Sequence, residues 1–195
     1  MLFAVMAHRV TPEPAVHAVQ FYDNESRLCS TVAEFLREGL EQGHPAIVIA
    51  TGFHSAKIAR ELAARHVDVD AVKRVGDLIV LDAEDTLATF MVEDAPDSRL
   101  FHRQVNAVLE QTLAGRIRTP VRAYGEMVDL LWRDGRERAA TRLEVLWNEL
   151  ATTRTFSLLC GYSMGNFYKQ TKQFQDICNQ HTHVLGPGCD GPLAF

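Results

Sequence analysis

Long apolar runs are missing from this chain of 195 residues. No stretch approaches the ~20 consecutive apolar residues that a bilayer-spanning helix needs, so no membrane partner is expected. The opening MLFAVMAHRV is briefly apolar, but it is short and lacks the basic leading region of a secretory signal. Cysteine is scarce: the four present, Cys29, Cys160, Cys178 and Cys189, have no framework spacing. They read as reduced thiols in a cytoplasmic protein. Blocks of like charge are absent too. Lys and Arg total 20 against 25 Asp and Glu, a net charge of −5, which argues against a direct nucleic-acid surface.

A phosphate-binding loop is also missing. Such a loop needs glycines whose backbone N–H groups wrap phosphate, and a lysine that reaches its terminal oxygens. No glycine of this chain precedes a lysine, and the first strand runs into Tyr22-Asp23-Asn24-Glu25-Ser26. Two carboxylates there would repel phosphate, so conventional nucleotide hydrolysis is not expected. The sequence is read as carrying no nucleophile elbow and no His-Glu-x-x-His helix, which leaves the common hydrolases without support. The expectation is a non-enzyme, and no cofactor is assigned.

What remains is an ordinary globular composition, 47% hydrophobic and 23% charged. The length suits one domain, expected over residues 15–185 between tails at 1–14 and 186–195. A chain this long buries roughly 70% of its unfolded surface. Its periodicity alternates between strand and helix. Residues 16–22 form a β-rich run. Asn24 or Ser26 can cap a helix with Leu28, Val32, Phe35, Leu36 and Leu40 on one face, ended by Gly43. The all-apolar run 46–50 (AIVIA) suits a strand covered on both faces. A helix from His54 or Ser55, a strand at 78–81, a short helix over 84–91 and a helix over about 99–114 follow. Then come a strand at 121–124, helices at 127–133 and 136–150, a strand at 156–161 and a last helix over about 165–179.

Five short buried strands separated by helices predict an α/β domain, a three-layer and mainly parallel five-stranded sheet flanked by helices. Right-handed crossovers would gather every strand-to-helix loop at one edge. Ligands of such folds bind at the carboxyl ends of strands. That makes residues 119–150 the most informative segment. Glu126 sits where a strand stops and a helix begins. It could be a general base or a ligand acceptor, or a carboxylate that favours the start of the next helix. Arg122 shares a strand face with Tyr124, and if buried it needs an anionic partner, either an internal acid or a ligand. Glu144 lies at the edge of the apolar face formed by Leu143 and Trp147. From there it could reach Arg122, a ligand or solvent. Trp132 and Trp147 suit either core or an apolar pocket. Tyr22, Asp23 and Tyr162 complete the candidate ligand-binding set. His181 and His183, near Cys178 and Cys189, could hold a transition metal, although their spacing matches no standard zinc site. His17 opens the first strand and reads as structural.

Several stretches together resemble a known family: 17–23 (HAVQFYD), 35–40 (FLREGL), 46–51 (AIVIAT), 122–128 (RAYGEMV) with Leu131-Trp132, 143–148 (LEVLWN) and 156–162 (FSLLCGY). The chain resembles the MEDS domain, a sensory domain of methanogen and methylotroph regulators named in part after a dichloromethane-responsive repressor. The similarity extends over about residues 16–185. It implies a degenerate RecA/KaiC-like fold without a P-loop, with the loop at 22–26 in place of the phosphate loop. Glu126 would then lie near the strand end where such ATPases carry a metal-binding acid. The resemblance also implies sensing of small organic molecules, and coupling to a histidine kinase or a DNA-binding transcription factor. No helix-turn-helix or kinase segment is visible, so the expected relay is a separate regulatory partner or self-association. The alternatives are a nucleotide-binding remnant that does not hydrolyse, an enzyme using Glu126 with Arg122, and a metal or redox sensor built on the carboxyl-terminal Cys and His residues.

Overall fold

The computed structural model describes residues 16–116, 119–167 and 171–186. The expected tails, 1–14 and 186–195, and with them Cys189, lie outside the described residues except for Gly186. The chain runs β1 (His17–Tyr22), α1 (Glu25–Glu41), β2 (Ala46–Ala50), α2 (Gly52–Ala64), α3 (Val69–Arg74), β3 (Leu78–Asp82) and α4 (Ala83–Ala88). A short hairpin, β4 (Met91–Val92) and β5 (Ala95–Pro96), leads to α5 (Ser98–Leu113), β6 (Val121–Gly125), α6 (Met127–Arg133) and α7 (Glu137–Ala151). β7 (Phe156–Ser163), a 3-10 turn (Met164–Phe167), α8 (Thr171–Cys178) and β8 (His183–Leu185) complete it.

The main sheet has the order β3-β2-β6-β7-β1-β8, and every pairing in it is parallel. The expected α/β, mainly parallel architecture is therefore present, with one strand more than the five expected. The sixth, β8, has only three residues and sits exposed or half-buried at an edge, too short to show a periodicity. The last helix also differs from the expected continuous 165–179. It is a 3-10 turn and then α8. The helix expected over 84–91 stops at Ala88, because Met91 and Val92 pair with Ala95 and Pro96.

Period-two alternation splits each buried strand between two cores. Val19, Phe21, Ile47, Ile49, Val121, Ala123, Leu158 and Cys160 face the layer that holds α4 to α8. Ala18, Tyr22, Val48, Ala50, Tyr124 and Leu159 face α1 and α2. α1 starts because the Asn24 side chain accepts from the N–H groups of Ser26 and Arg27, donors the helix itself leaves unpaired. It ends at Gly43, whose φ of 76° lets the chain turn back so that the N–H of His44 reaches the carbonyl of Gly39.

The topology creates a crevice between β2 and β6. From β2 the chain moves outward to β3, and from β6 it moves the other way to β7. α2 follows β2 on one face, while α6 follows β6 on the other. The carboxyl ends of β2 and β6 are thus a topological switch point, where the two following segments part.

Candidate functional site

Glu126 occupies that crevice. It is the residue before α6, and its side chain caps no N–H of that helix. Its carboxylate crosses to β2 instead: Oε1 accepts from the N–H of Thr51 at 2.7 Å. Oε2 accepts from the Tyr124 hydroxyl at 2.8 Å and contacts Nδ1 of His54 at 2.6 Å. Only 3% of Glu126 is exposed. Burial alone would raise its pKa, but the hydrogen bond and charge of His54, with the bonds from Thr51 and Tyr124, outweigh burial and lower it. His54 shifts the other way. Burial opposes its positive charge, yet the bond to Glu126 and the surrounding carboxylates raise its pKa.

A second buried acid, Asp129, extends the network toward β1 and β7. One oxygen accepts from Tyr22 Oη at 3.2 Å, the other from Ser163 N–H at 2.8 Å and Asn166 Nδ2 at 2.6 Å. Its pKa is raised, chiefly by burial. The Tyr22 hydroxyl is pushed up by burial and then by the charges of Asp129 and Glu126, so it stays a donor. Three tyrosine and carboxylate residues named from the sequence, Tyr22, Tyr124 and Glu126, are brought together here. Asp23 lies exposed beside them.

Four other candidates are placed elsewhere. Arg122 is buried beneath α1, with its guanidinium 5.1 Å from the Phe35 ring, donating to the Phe35 carbonyl at 3.2 Å and 3.4 Å from Glu38. An internal partner is the outcome found. Its Cα neighbour is Ala46, at the amino end of β2, far along the strand from Glu126. Glu144 and Tyr162 lie on the opposite sheet face and bond to each other at 3.0 Å. Trp147 packs edge-on against Phe101 in the same core. Glu144 therefore does not reach Arg122: α7 covers one side of the sheet and Arg122 points to the other.

Glu144, 0% exposed, gathers a set of its own. Oε2 lies 3.2 Å from His17 Nε2 and 3.6 Å from Cys160 Sγ. Oε1 lies 3.4 Å from His181 Nε2. Burial would raise this carboxyl, but the charge of His181 and the contacts of both histidines hold it well below the usual range. Of the described carboxyl-terminal residues considered for metal, only His181 enters this set. His183 is exposed on β8 and Cys178 is half-buried against the core.

Sequence reasoning missed His54, Asp129 and the pairing of His17 with His181. Asp129 did leave a signal, an acid within the otherwise apolar run Met127-Val128-Asp129-Leu130-Leu131-Trp132. It also overlooked a motif. Gly161-Tyr162-Ser163-Met164-Gly165 does have the Gly-x-Ser-x-Gly spacing. The geometry is not that of a nucleophile elbow: Ser163 ends a strand, lacks the positive φ of such a turn, and bonds to no histidine among the described residues.

The described residues form a parallel α/β domain with a buried polar network at the switch point, the place where such folds bind ligands. The family described as MEDS, the MEthanogen/methylotroph, DcmR Sensory domain, matches residues 16–182. The chain belongs to this sensory-domain family. No curated protein matches it significantly. No helix among the described residues is long and apolar enough to cross a membrane.

Proposed function

We propose that this domain is a non-catalytic cytoplasmic sensor. It takes a small organic molecule with a hydrogen-bonding head group into the crevice between β2 and β6. One observation carries this reading: Nε2 of His54 is buried and has no hydrogen-bond partner, while Nδ1 of the same ring is held by Glu126 at 2.6 Å. An orphaned buried nitrogen costs about 1–3 kcal/mol, which a ligand group can recover. Phe53, 56% exposed next to His54, offers an apolar flank. The sensory role of the family and the free thiols of Cys29, Cys160 and Cys178 support the same reading.

Glu25, Glu126 and Asp129 all act on His54, so the site favours a neutral or cationic head group over phosphate or carboxylate. That weighs against a nucleotide. Because Glu126 ties β2 to the start of α6, a ligand that rearranges this bond acts on both helical layers at once. It would bias two states by its differential affinity for them. A histidine kinase, a transcription factor or a second copy of the chain would read the changed surface.

Calorimetry tests this with neutral alcohols, amides and amines against carboxylates and nucleotides. The expected result is binding of the first group only, weakened about 10-fold or more in His54→Gln by loss of one hydrogen bond. Nucleotide binding, or equal affinity of wild type and His54→Gln, overturns it.

A further inference from the structure

The second buried cluster has the construction of a metal centre. Nε2 of His17, Nε2 of His181, Sγ of Cys160 and a carboxylate oxygen of Glu144 all lie within 4.8 Å of one another. Oε2 of Glu144 stands 3.2 Å from His17 Nε2 and 3.6 Å from Cys160 Sγ, those two stand 3.4 Å from each other, and Oε1 of the same carboxylate stands 3.4 Å from His181 Nε2. Tetrahedral zinc, with bonds of about 2.0–2.3 Å, sets its ligand atoms roughly 3.3–3.8 Å from each other.

The orientation of the two imidazoles is an independent observation. Nδ1 of His17 bonds to Asn148 Oδ1 at 2.8 Å, and Asn148 is itself fixed through Nδ2 to the Gln180 carbonyl at 3.0 Å. Nδ1 of His181 bonds to the Ile177 carbonyl at 2.8 Å. Each ring thus places its N–H on an outer oxygen and turns its other nitrogen inward, the arrangement of metal-bound histidine. Nε2 of His181, on a side chain with 0% exposure, faces Oε1 of Glu144 at 3.4 Å without the alignment of a hydrogen bond. The backbone fixes the meeting: the N–H of Thr182 donates to the His17 carbonyl at 2.7 Å, and Thr182 Oγ1 accepts from the His17 N–H at 3.1 Å. Tyr162 Oη donates to Oε1 of Glu144 at 3.0 Å, leaving Oε2 toward His17 and Cys160.

We propose that His17, Glu144, Cys160 and His181 bind a zinc-class divalent transition ion. The mixed nitrogen, sulfur and oxygen donors suit such an ion and not calcium or magnesium. Four protein donors close a tetrahedron, so the site is structural: it clips the segment before β8 to β1, β7 and α7. Binding takes the thiol of Cys160 to thiolate, and its proton leaves to solvent. This inference stands apart from the crevice of Glu126 and does not rest on it.

The test uses the full chain produced in cobalt-supplemented minimal medium. The expected protein retains cobalt at one ion per chain. It shows a near-ultraviolet thiolate-to-cobalt charge-transfer band and the strong visible bands of tetrahedral cobalt. Cys160→Ser abolishes the charge-transfer band, whereas Cys178→Ser/Cys189→Ser leaves it unchanged. Asn148→Ala, which frees the His17 ring, lowers affinity about 10- to 100-fold in competition with a chromophoric chelator. X-ray absorption of the zinc-loaded wild type shows one sulfur and three lighter donors, which keeps the test decisive if Cys160→Ser does not fold. Folded wild type that retains neither cobalt nor zinc overturns the proposal. So does a charge-transfer band that survives Cys160→Ser, or a zinc shell without that single sulfur.

Discussion

Glu126 and His54, 72 positions apart in the chain, meet at 2.6 Å with both side chains buried. The pair is held by opposite shifts. His54 is raised, so its contribution is fully present below its ordinary value of about 6.5 and is lost as pH rises through the raised value. Glu126 is lowered, so its contribution is present above its ordinary value of about 4.3 and is lost as pH falls through the lowered value. The pair therefore stabilises most between those limits. Urea titrations of wild type and His54→Gln should differ most between about pH 5 and pH 6.5, and the gap should narrow toward pH 9. A gap that stays constant with pH would show that His54 is neutral in the folded state.

Gly161 leaves room for Tyr124, another donor to Glu126. A Cβ there would stand 2.8 Å from the Tyr124 hydroxyl oxygen and 3.3 Å from its ring. Tyr124 is fully buried and cannot swing aside. Gly161→Ala should destabilise by about 1–3 kcal/mol and loosen the bond to Glu126. Tyr124→Phe removes the oxygen that clashes. In that background Gly161→Ala should cost less, giving a coupling of roughly 0.5–3 kcal/mol in a double-mutant cycle. Additive losses would place the strain elsewhere.

Gly39 and Arg122 pose the same question on the amino half of the sheet. In a helix, Gly→Ala alone would stabilise by up to about 1 kcal/mol. Here the new methyl would stand 2.8 Å from both Cγ and Cδ of Arg122, whose side chain is 3% exposed. Overpacking should win, with a net loss of about 1–2 kcal/mol in thermal or urea unfolding. Binding at the β2–β6 crevice should change little, because Arg122 is placed away from it.

How far the sequence could reach is visible in Glu126 and Glu144. Glu126 stood out because strand periodicity ended just before it, and strand ends of parallel sheets share one edge. Its partner His54 was read only as a possible helix start and could not be paired, since nothing local connects residues 72 apart. Glu144 stood out as an acid at the edge of an apolar face, with Arg122, a ligand and solvent all open as its surroundings. Alternation assigns residues to the two faces of a strand. It does not say which face a distant helix will cover, and α7 covers the one opposite Arg122. His181 was named with His183 as a possible metal ligand, but its meeting with His17 was illegible for a third reason. It is positioned by Thr182 pairing with His17, at the edge of a three-residue strand that has no pattern to read.

Trp147 separates core from pocket most directly. It is 4% exposed and packs edge-on against Phe101 at 5.1 Å and against Phe156 at 5.9 Å. A small enclosed apolar cavity lies beside it, lined in part by Ile47, Ile49, Val105, Leu109 and Ala123. Truncation to Ala should cost about 3–5 kcal/mol, the range for deleting a large aromatic from a packed core. It should also merge the side chain's volume with that cavity. An enlarged apolar cavity stays dry and takes up apolar atoms. Xenon or benzene should therefore raise the melting temperature of Trp147→Ala in proportion to its concentration, and leave wild type almost unmoved. Equal stabilisation of both proteins would mean that this cavity already admits apolar ligands in the native domain. That would move the search for the sensed molecule from the β2–β6 crevice to the opposite face of the sheet.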